Sequence, residues 1–285
     1  MDAYFFSLFL LLNAWTAIAF KPVIFMHGIL AGPDESQDSF DFIKEVHPGT
    51  QLYTINAFNY QESLQPMWKQ VDFVGIEMLK IMALFPDGVH LICFSQGGLL
   101  CRAVLEKYPH NVDTFISLSA PQSGQFGDTD YLKFFYPNFI KDNLYKILYS
   151  QEGQKVSIGN YWNDPHHQEM YETYSDFLAV LNNQTSNPDS QEFKNNFLRL
   201  KHLVMIGGPD DGVITPWQSS HFGFYNSAEE IVEMEEQKWY INDSFGLQTL
   251  DKRKGLIKYV IPGVQHIHWH TNRTVFDCCI EPWLT

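Results

Sequence analysis

Positive charge is scarce in this 285-residue chain: 19 Lys and Arg face 33 Asp and Glu, a formal net charge of −14. Neutralising phosphates needs a basic face, so the composition speaks against a nucleic-acid partner. Charged residues of both signs amount to only 18%, while hydrophobic ones reach 45%. That balance excludes a disordered chain, a coiled coil and a collagen-like repeat. Long apolar runs are also missing. Outside residues 4–12 (YFFSLFLLL) nothing approaches the ~18 apolar residues of a spanning helix, so the mature chain is expected to have no transmembrane segment. There is no internal repeat and no low-complexity tract. Cysteine is limited to Cys93, Cys101, Cys278 and Cys279, which allow three pairings.

What is plentiful is aromatic: 23 Phe, 14 Tyr and 7 Trp make up 15% of the chain. So much aromatic surface fits either a large aromatic core or an apolar ligand site. The apolar run 4–12 leads into small residues, and Ala17-Ile18-Ala19 is an A-x-A cleavage site. Residues 1–19 therefore read as a secretory signal peptide cut after Ala19. A membrane anchor is the alternative, since the leader carries Asp2 and neither Lys nor Arg. Three glycosylation sequons, at Asn183, Asn242 and Asn272, support export. Without Asp2 the net charge is −13, and all eleven His lie in the mature part. Protonating every one in an acidic compartment would bring the charge to −2, an upper limit.

Strands and helices alternate. Pro22–Met26 is a continuous apolar run ending at His27-Gly28, the pattern of a strand buried on both faces. Gln51–Ile55, Val89–Phe94 and Asp113–Leu118 are further strands. Ser63–Leu84 and Gln96–Tyr108 are predicted helices. Such βαβ repetition predicts a parallel sheet flanked by helices. The rhythm breaks at about 121–200, where helical pieces such as Tyr131–Tyr149 and Tyr171–Leu181 stand without a buried strand. Strands resume at His202–Ile206 and Leu256–Ile261, and a last helix is predicted over Thr274–Leu284. The reading is one α/β domain, residues 20–285, with a helical insertion at about 121–200.

The peptide Cys93-Phe94-Ser95-Gln96-Gly97-Gly98 follows a strand and opens a helix, the setting of a nucleophile elbow. The turn brings the residues two before and two after the serine together, so both must be small. Gly97 meets this, and Cys93 stands where glycine is usual. A serine hydroxyl needs a base to take its proton, usually a His oriented by a carboxylate. In this architecture the order along the chain is Ser, then Asp or Glu, then His. Asp210 and Asp211 follow the strand His202–Ile206 in a glycine-rich turn, and Asp211 is the favoured carboxylate. His266, His268 and His270 follow the last strand, and His266, nearest its end, is the favoured base. Zinc ligation by the three His lacks a supporting carboxylate or cysteine at ligand spacing. The oxyanion donors are expected at the Gln96 N–H and, from the turn after the first strand, at the Ile29 N–H, with His27 bonding that turn. Cys93 ends a strand and Cys101 lies in the next helix, so they are either a short-loop disulfide or two buried thiols. Cys278 and Cys279 are neighbours on the predicted last helix, where side chains diverge by about 100° and would not face one partner.

With these residues in hand, the chain resembles the palmitoyl-protein thioesterases, most closely their second, lysosomal type. The resemblance rests on VIFMHGI (23–29), HLICFSQGGLLCRA (90–103), NYWNDPHH (160–167), IGGPDDGVITPWQSSHFGFY (206–225), EMEEQ (233–237), DSFGL (243–247) and NRTVFDCCIEPWL (272–284). It implies an α/β-hydrolase fold with a helical insertion, and Ser95, Asp211 and His266 as nucleophile, acid and base. It also implies oxyanion N–H groups at Ile29 and Gln96, a Cys93–Cys101 disulfide, no metal or organic cofactor, and a fatty acyl thioester substrate met in the lysosome lumen. That type usually has further cysteines in the insertion and the last strand. Here Tyr149–Asn160 and Lys258–Ile261 have none, so the pairing of Cys278 and Cys279 is open.

Tyr131–Tyr149 is aromatic, and beside the elbow it could line an acyl groove or simply cover the core. Glu229–Glu236 reads as a solvated acidic face. Two other readings remain: a lipase or carboxylesterase on the same machinery, and an inert hydrolase fold that binds ligands. Intact Ser, Asp and His argue against the second.

Overall fold

Strands that are apolar at every position need cover on both faces, and a parallel sheet between two layers of helix supplies it. The computed structural model describes residues 20–127, Lys133 and residues 141–285. The leader 1–19 and most of the first half of Tyr131–Tyr149 lie outside the described residues. The strands are β1 (Val23–Met26), β2 (Leu52–Thr54), β3 (Val89–Phe94), β4 (Val112–Leu118), β5 (His202–Gly207), the small antiparallel pair β6 (Phe224–Tyr225) and β7 (Ile231–Val232), and β8 (Leu256–Val260). Six of them form one sheet in the order β2-β1-β3-β4-β5-β8, every neighbour parallel.

Successive side chains of each strand go to opposite faces. Ile24, Leu91, Phe115 and Leu203 join one apolar cluster with helices α2 (Met67–Met82) and α3 (Gln96–Lys107). Phe25, Ile92, Ile116 and Val204 join the other with Ile43 of α1 (Gln37–Val46) and with Val275, Phe276 and Ile280 near the C-terminus. The register Met26↔Cys93 and Cys93↔Ser117 brings the ends of β1, β3 and β4 level, so the loops leaving that edge meet.

Three boundaries differ from the pattern reading. The helix predicted from Ser63 begins at Met67, after a separate 3-10 turn Tyr60–Leu64. Gln65 precedes Pro66 and is extended, as a residue before proline prefers. The predicted Tyr171–Leu181 helix is two, Gln168–Tyr174 and Leu178–Leu181, separated by extended Ser175. Trp68 Nε1 donates to the Asp176 carbonyl and the Asp176 N–H to Gln154 Oε1, contacts no local pattern encodes. The last predicted helix is a short helix Arg273–Val275, a π turn Phe276–Ile280 and a 3-10 turn Glu281–Trp283. On that turn Cys278 and Cys279 are disulfide-bonded to each other, a pairing the sequence had left open.

Among the described residues between β4 and β5 there are helices, turns and a single bridge, Gln125 with Trp162. Arg102 of α3 anchors this segment although its side chain is fully buried. It donates to Glu106 Oε1 (2.7 Å), the Gln122 carbonyl (2.9 Å) and Asn182 Oδ1 (2.7 Å), and lies 4.1 Å from the Phe245 ring centroid. Glu229, Glu230, Glu233, Glu235 and Glu236 are exposed, as a solvated face requires, while Met234 is buried between them.

Candidate active site

Ser95 joins β3 to α3 with φ 54° and ψ −129°, a conformation that costs an L-residue of order 1–3 kcal/mol and projects its side chain from the turn. The turn closes because its neighbours are small. A Cβ on Gly97 would lie 2.3 Å from the His27 carbonyl oxygen, and one on Gly98 2.4 Å from Ala120 Cβ. Cys93, two residues before Ser95, is buried and disulfide-bonded to Cys101, so the strand end is tied covalently to the helix that follows.

The loops after β5 and β8 bring the other two candidates to this turn. His266 Nε2 is 2.9 Å from Ser95 Oγ, and His266 Nδ1 is 2.9 Å from Asp211 Oδ2. The His266 N–H donates to the Asp211 carbonyl, which locks the two loops together. Asp211 Oδ2 also accepts from Ser119 Oγ (2.6 Å) and Trp269 Nε1 (2.7 Å), and Oδ1 from the N–H groups of Val213 and Ile214. Burial pushes the Asp211 carboxyl up, but the hydrogen bonds from His266, Ser119 and Ile214 outweigh it and hold the group below its ordinary 3.8. Asp210 points elsewhere, accepting the Gly263 N–H. His268 is exposed and His270 rests against Phe94.

Ile29 and Gln96 both line a cavity of about 190 Å³ with Ser95, His266, Gly28, Phe94, Pro121, Tyr161 and Ile214. His27 bonds the turn as expected: Nδ1 contacts the Gly28 carbonyl, and Nε2 the Ala57 carbonyl and Asn59 Oδ1. Ser63 joins the two loops that would cradle an oxyanion. Its Oγ accepts the Leu30 N–H, and its carbonyl accepts from Gln96 Nε2. Glu35 lines the same cavity and accepts the Gly28 N–H. Pattern reading singled out none of Ser63, Ser119, Trp269 and Glu35. Trp269 carried a faint signal by lying among the three His, and the others had none. Leu144, Leu148 and Tyr149, in the described part of Tyr131–Tyr149, are buried in the core and not in the cavity lining.

A family model described as palmitoyl protein thioesterase matches residues 22–266. The chain belongs to that family. Among thioesterase relatives it is 52% identical over 268 residues to Lysosomal thioesterase PPT2 of Rattus norvegicus, covering 94% of this chain and 89% of the relative. It is 43% identical over 269 residues to the Lysosomal thioesterase PPT2 homolog of Drosophila melanogaster, covering 94% and 93%. A lipase from Bacillus licheniformis, BlEst2 in its mature form, superposes with a TM-score of 0.52 at 17% identity, covering 94% of this chain and 93% of that one. That likeness assigns the fold, an α/β-hydrolase. In this thioesterase, as the fold requires, the elbow serine ends a central strand and the carboxylate and imidazole come from later loops at the same edge.

Proposed function

We propose that this protein is a serine hydrolase that cleaves fatty acyl thioesters, carried by CoA or by an S-acylated protein or peptide, with Ser95 as nucleophile, His266 as base and Asp211 as its orienting carboxylate. Ser95 Oγ attacks the acyl carbonyl while His266 Nε2 takes the hydroxyl proton. The N–H groups of Ile29 and Gln96 hold the oxyanion of the tetrahedral intermediate. Its collapse breaks the carbon–sulfur bond, and the thiol leaves with the proton held by His266. Water, deprotonated by His266, then attacks the acyl-Ser95 ester and releases the fatty acid and the free serine. No metal or organic cofactor enters these steps.

The observation that carries this reading is the unbroken run Asp211–His266–Ser95 on the wall of a largely apolar cavity, in a member of this family. Each methylene buried in an apolar site is worth about 0.8 kcal/mol, so such a cavity favours a lipid acyl group over acetyl. The choice of thioester over oxygen ester rests on the relatives, which are named thioesterases.

We infer delivery to the lysosome lumen by the secretory route, with residues 1–19 as the leader and residues 121–200 as the insertion. The relatives carry lysosomal names, and no helix among the described residues is long and apolar enough to cross a membrane. Asn183 and Asn242 are exposed for glycosylation, and Asn272 uses Oδ1 to cap the 273–275 helix, leaving Nδ2 for a glycan.

Turnover of palmitoyl-CoA against a matched oxygen ester at acidic pH tests the substrate class; faster cleavage of the oxygen ester would replace it with a lipase. Fluorophosphonate labelling is expected in the native chain and lost in Ser95→Ala. Labelling that survives the substitution would move the nucleophile elsewhere.

A further inference from the structure

Glu35 is the carboxylate of the cavity that the proposed reaction does not use. It stands on the 3-10 turn Pro33–Ser36, its side chain 17% exposed. Oε2 accepts the Gly28 N–H at 2.8 Å, one residue before the Ile29 N–H, while His27 Nδ1 holds the Gly28 carbonyl from the other side. A Cβ on Gly28 would lie 3.1 Å from Ser95 Cβ, so this clamp sits directly against the nucleophile turn. Oε1 faces His270 Nε2 at 3.7 Å. The other charges nearby are Asp34 on the same turn and the groups around His270, which are Asp38, His266 and His268. Burial holds the His270 imidazole down to about 4, so above that pH it offers Glu35 no positive charge. Burial pushes the Glu35 carboxyl up to about 7, the Gly28 N–H opposing and Asp34 adding to the effect.

We propose that Glu35 is a positioning residue for the oxyanion loop, clamping the Gly28 N–H so that the Ile29 N–H meets the substrate oxygen, and that a negative charge on Glu35 slows the reaction. This rests on the roles given above to Ser95 and Ile29. A neutral carboxyl and a carboxylate both accept the Gly28 N–H, so the clamp holds in either state. Only the carboxylate opposes the negative charge that develops on the carbonyl oxygen. The device favours an acidic compartment, where Glu35 is protonated. It adds a fall in rate on the alkaline side.

The test is kcat and KM of the full mature chain on palmitoyl-CoA at pH 5.5 and 8. Native kcat is expected to fall by about tenfold between the two. Glu35→Gln keeps an acceptor without the charge, and its kcat is expected to change less than about twofold over the same range. Glu35→Ala loses the clamp, lowering kcat roughly 10- to 100-fold at both pH values with KM little changed. Rescue of most of that loss by the Gln variant separates positioning from a general folding defect. Ser95→Ala is run alongside: its inactivity upholds the nucleophile independently, so failure of the Glu35 variants would strike this proposal alone. A Glu35→Gln enzyme with the native alkaline fall, or a Glu35→Ala enzyme with native kcat, overturns it.

Discussion

Asp211 carries more hydrogen bonds than orienting one imidazole requires. Five donors converge on it, from His266, Ser119, Trp269 and the N–H groups of Val213 and Ile214. Each favours the ionised form, so the carboxylate persists in acid although it is buried. An amide in its place would present a donor where His266 Nδ1–H also donates, and would force the wrong tautomer. Asp211→Asn is therefore expected to lower kcat by roughly 10³- to 10⁴-fold with KM little changed, measured by steady-state kinetics on palmitoyl-CoA. Asp211 and His266 could be picked from the sequence because each follows a legible strand in the order this fold demands. Ser119 could not: it lies 92 residues from Asp211 along the chain, in a stretch with no periodic signal of its own.

At the scale of elements, α3 is the piece that follows the Ser95 turn, and its far end is held by a buried cation. The Arg102 and Glu106 side chains are both fully buried, and burial pushes the Glu106 carboxyl up against the attraction of Arg102. Removing one partner of such a pair strands the other without water. Arg102→Ala also deprives the Gln122 carbonyl and Asn182 Oδ1 of their donor and the Phe245 ring of its cover. Urea denaturation is expected to show a loss of about 3–5 kcal/mol, against a smaller loss for Glu106→Gln. The sequence shows α3 as a helix but not as an anchor, since a lone Arg on a helix ordinarily reads as surface. Elements with clean periodicity, such as β3 and α2, were legible to within a few residues. The break at Ser175 and the π turn at 276–280 follow from contacts made elsewhere in the fold.

For the whole molecule, buried imidazoles govern the response to acid. Burial holds His90, His110, His221 and His270 down to about 4 against an ordinary 6.5. Their folded form is the neutral one. The stability they contribute is complete above 6.5 and is lost as pH falls from there toward 4. Glu35 and Glu106, raised from 4.5 to about 7, run the other way: their contribution is complete below 4.5 and is lost as pH rises through 7. Four imidazoles outweigh two carboxyls, so Tm is expected to drop by several degrees between pH 6.5 and 4.5. Scanning calorimetry at constant ionic strength would show it, and a flat or rising Tm would contradict this balance. The same four groups limit charge relief. With them neutral, at most seven His can gain charge, and with the Glu35 and Glu106 carboxyls neutral as well the mature chain stays near −4 rather than −2.

The sequence by itself determined the alternation of strand and helix, the serine turn with its small neighbours, the order Ser95, Asp211, His266, and the family. All of these are written in local periodicity, turn chemistry and short contiguous motifs, which act over a few residues. Tertiary structure alone decided which polar side chains meet the site: Ser119 and Trp269 on Asp211, Ser63 between Leu30 and Gln96, Glu35 on Gly28, and the bond between Cys278 and Cys279. A hydrogen bond depends on direction at the scale of a few ångströms. Where distant loops leave the sheet edge, that direction is set by how the whole core packs, and no local pattern carries it.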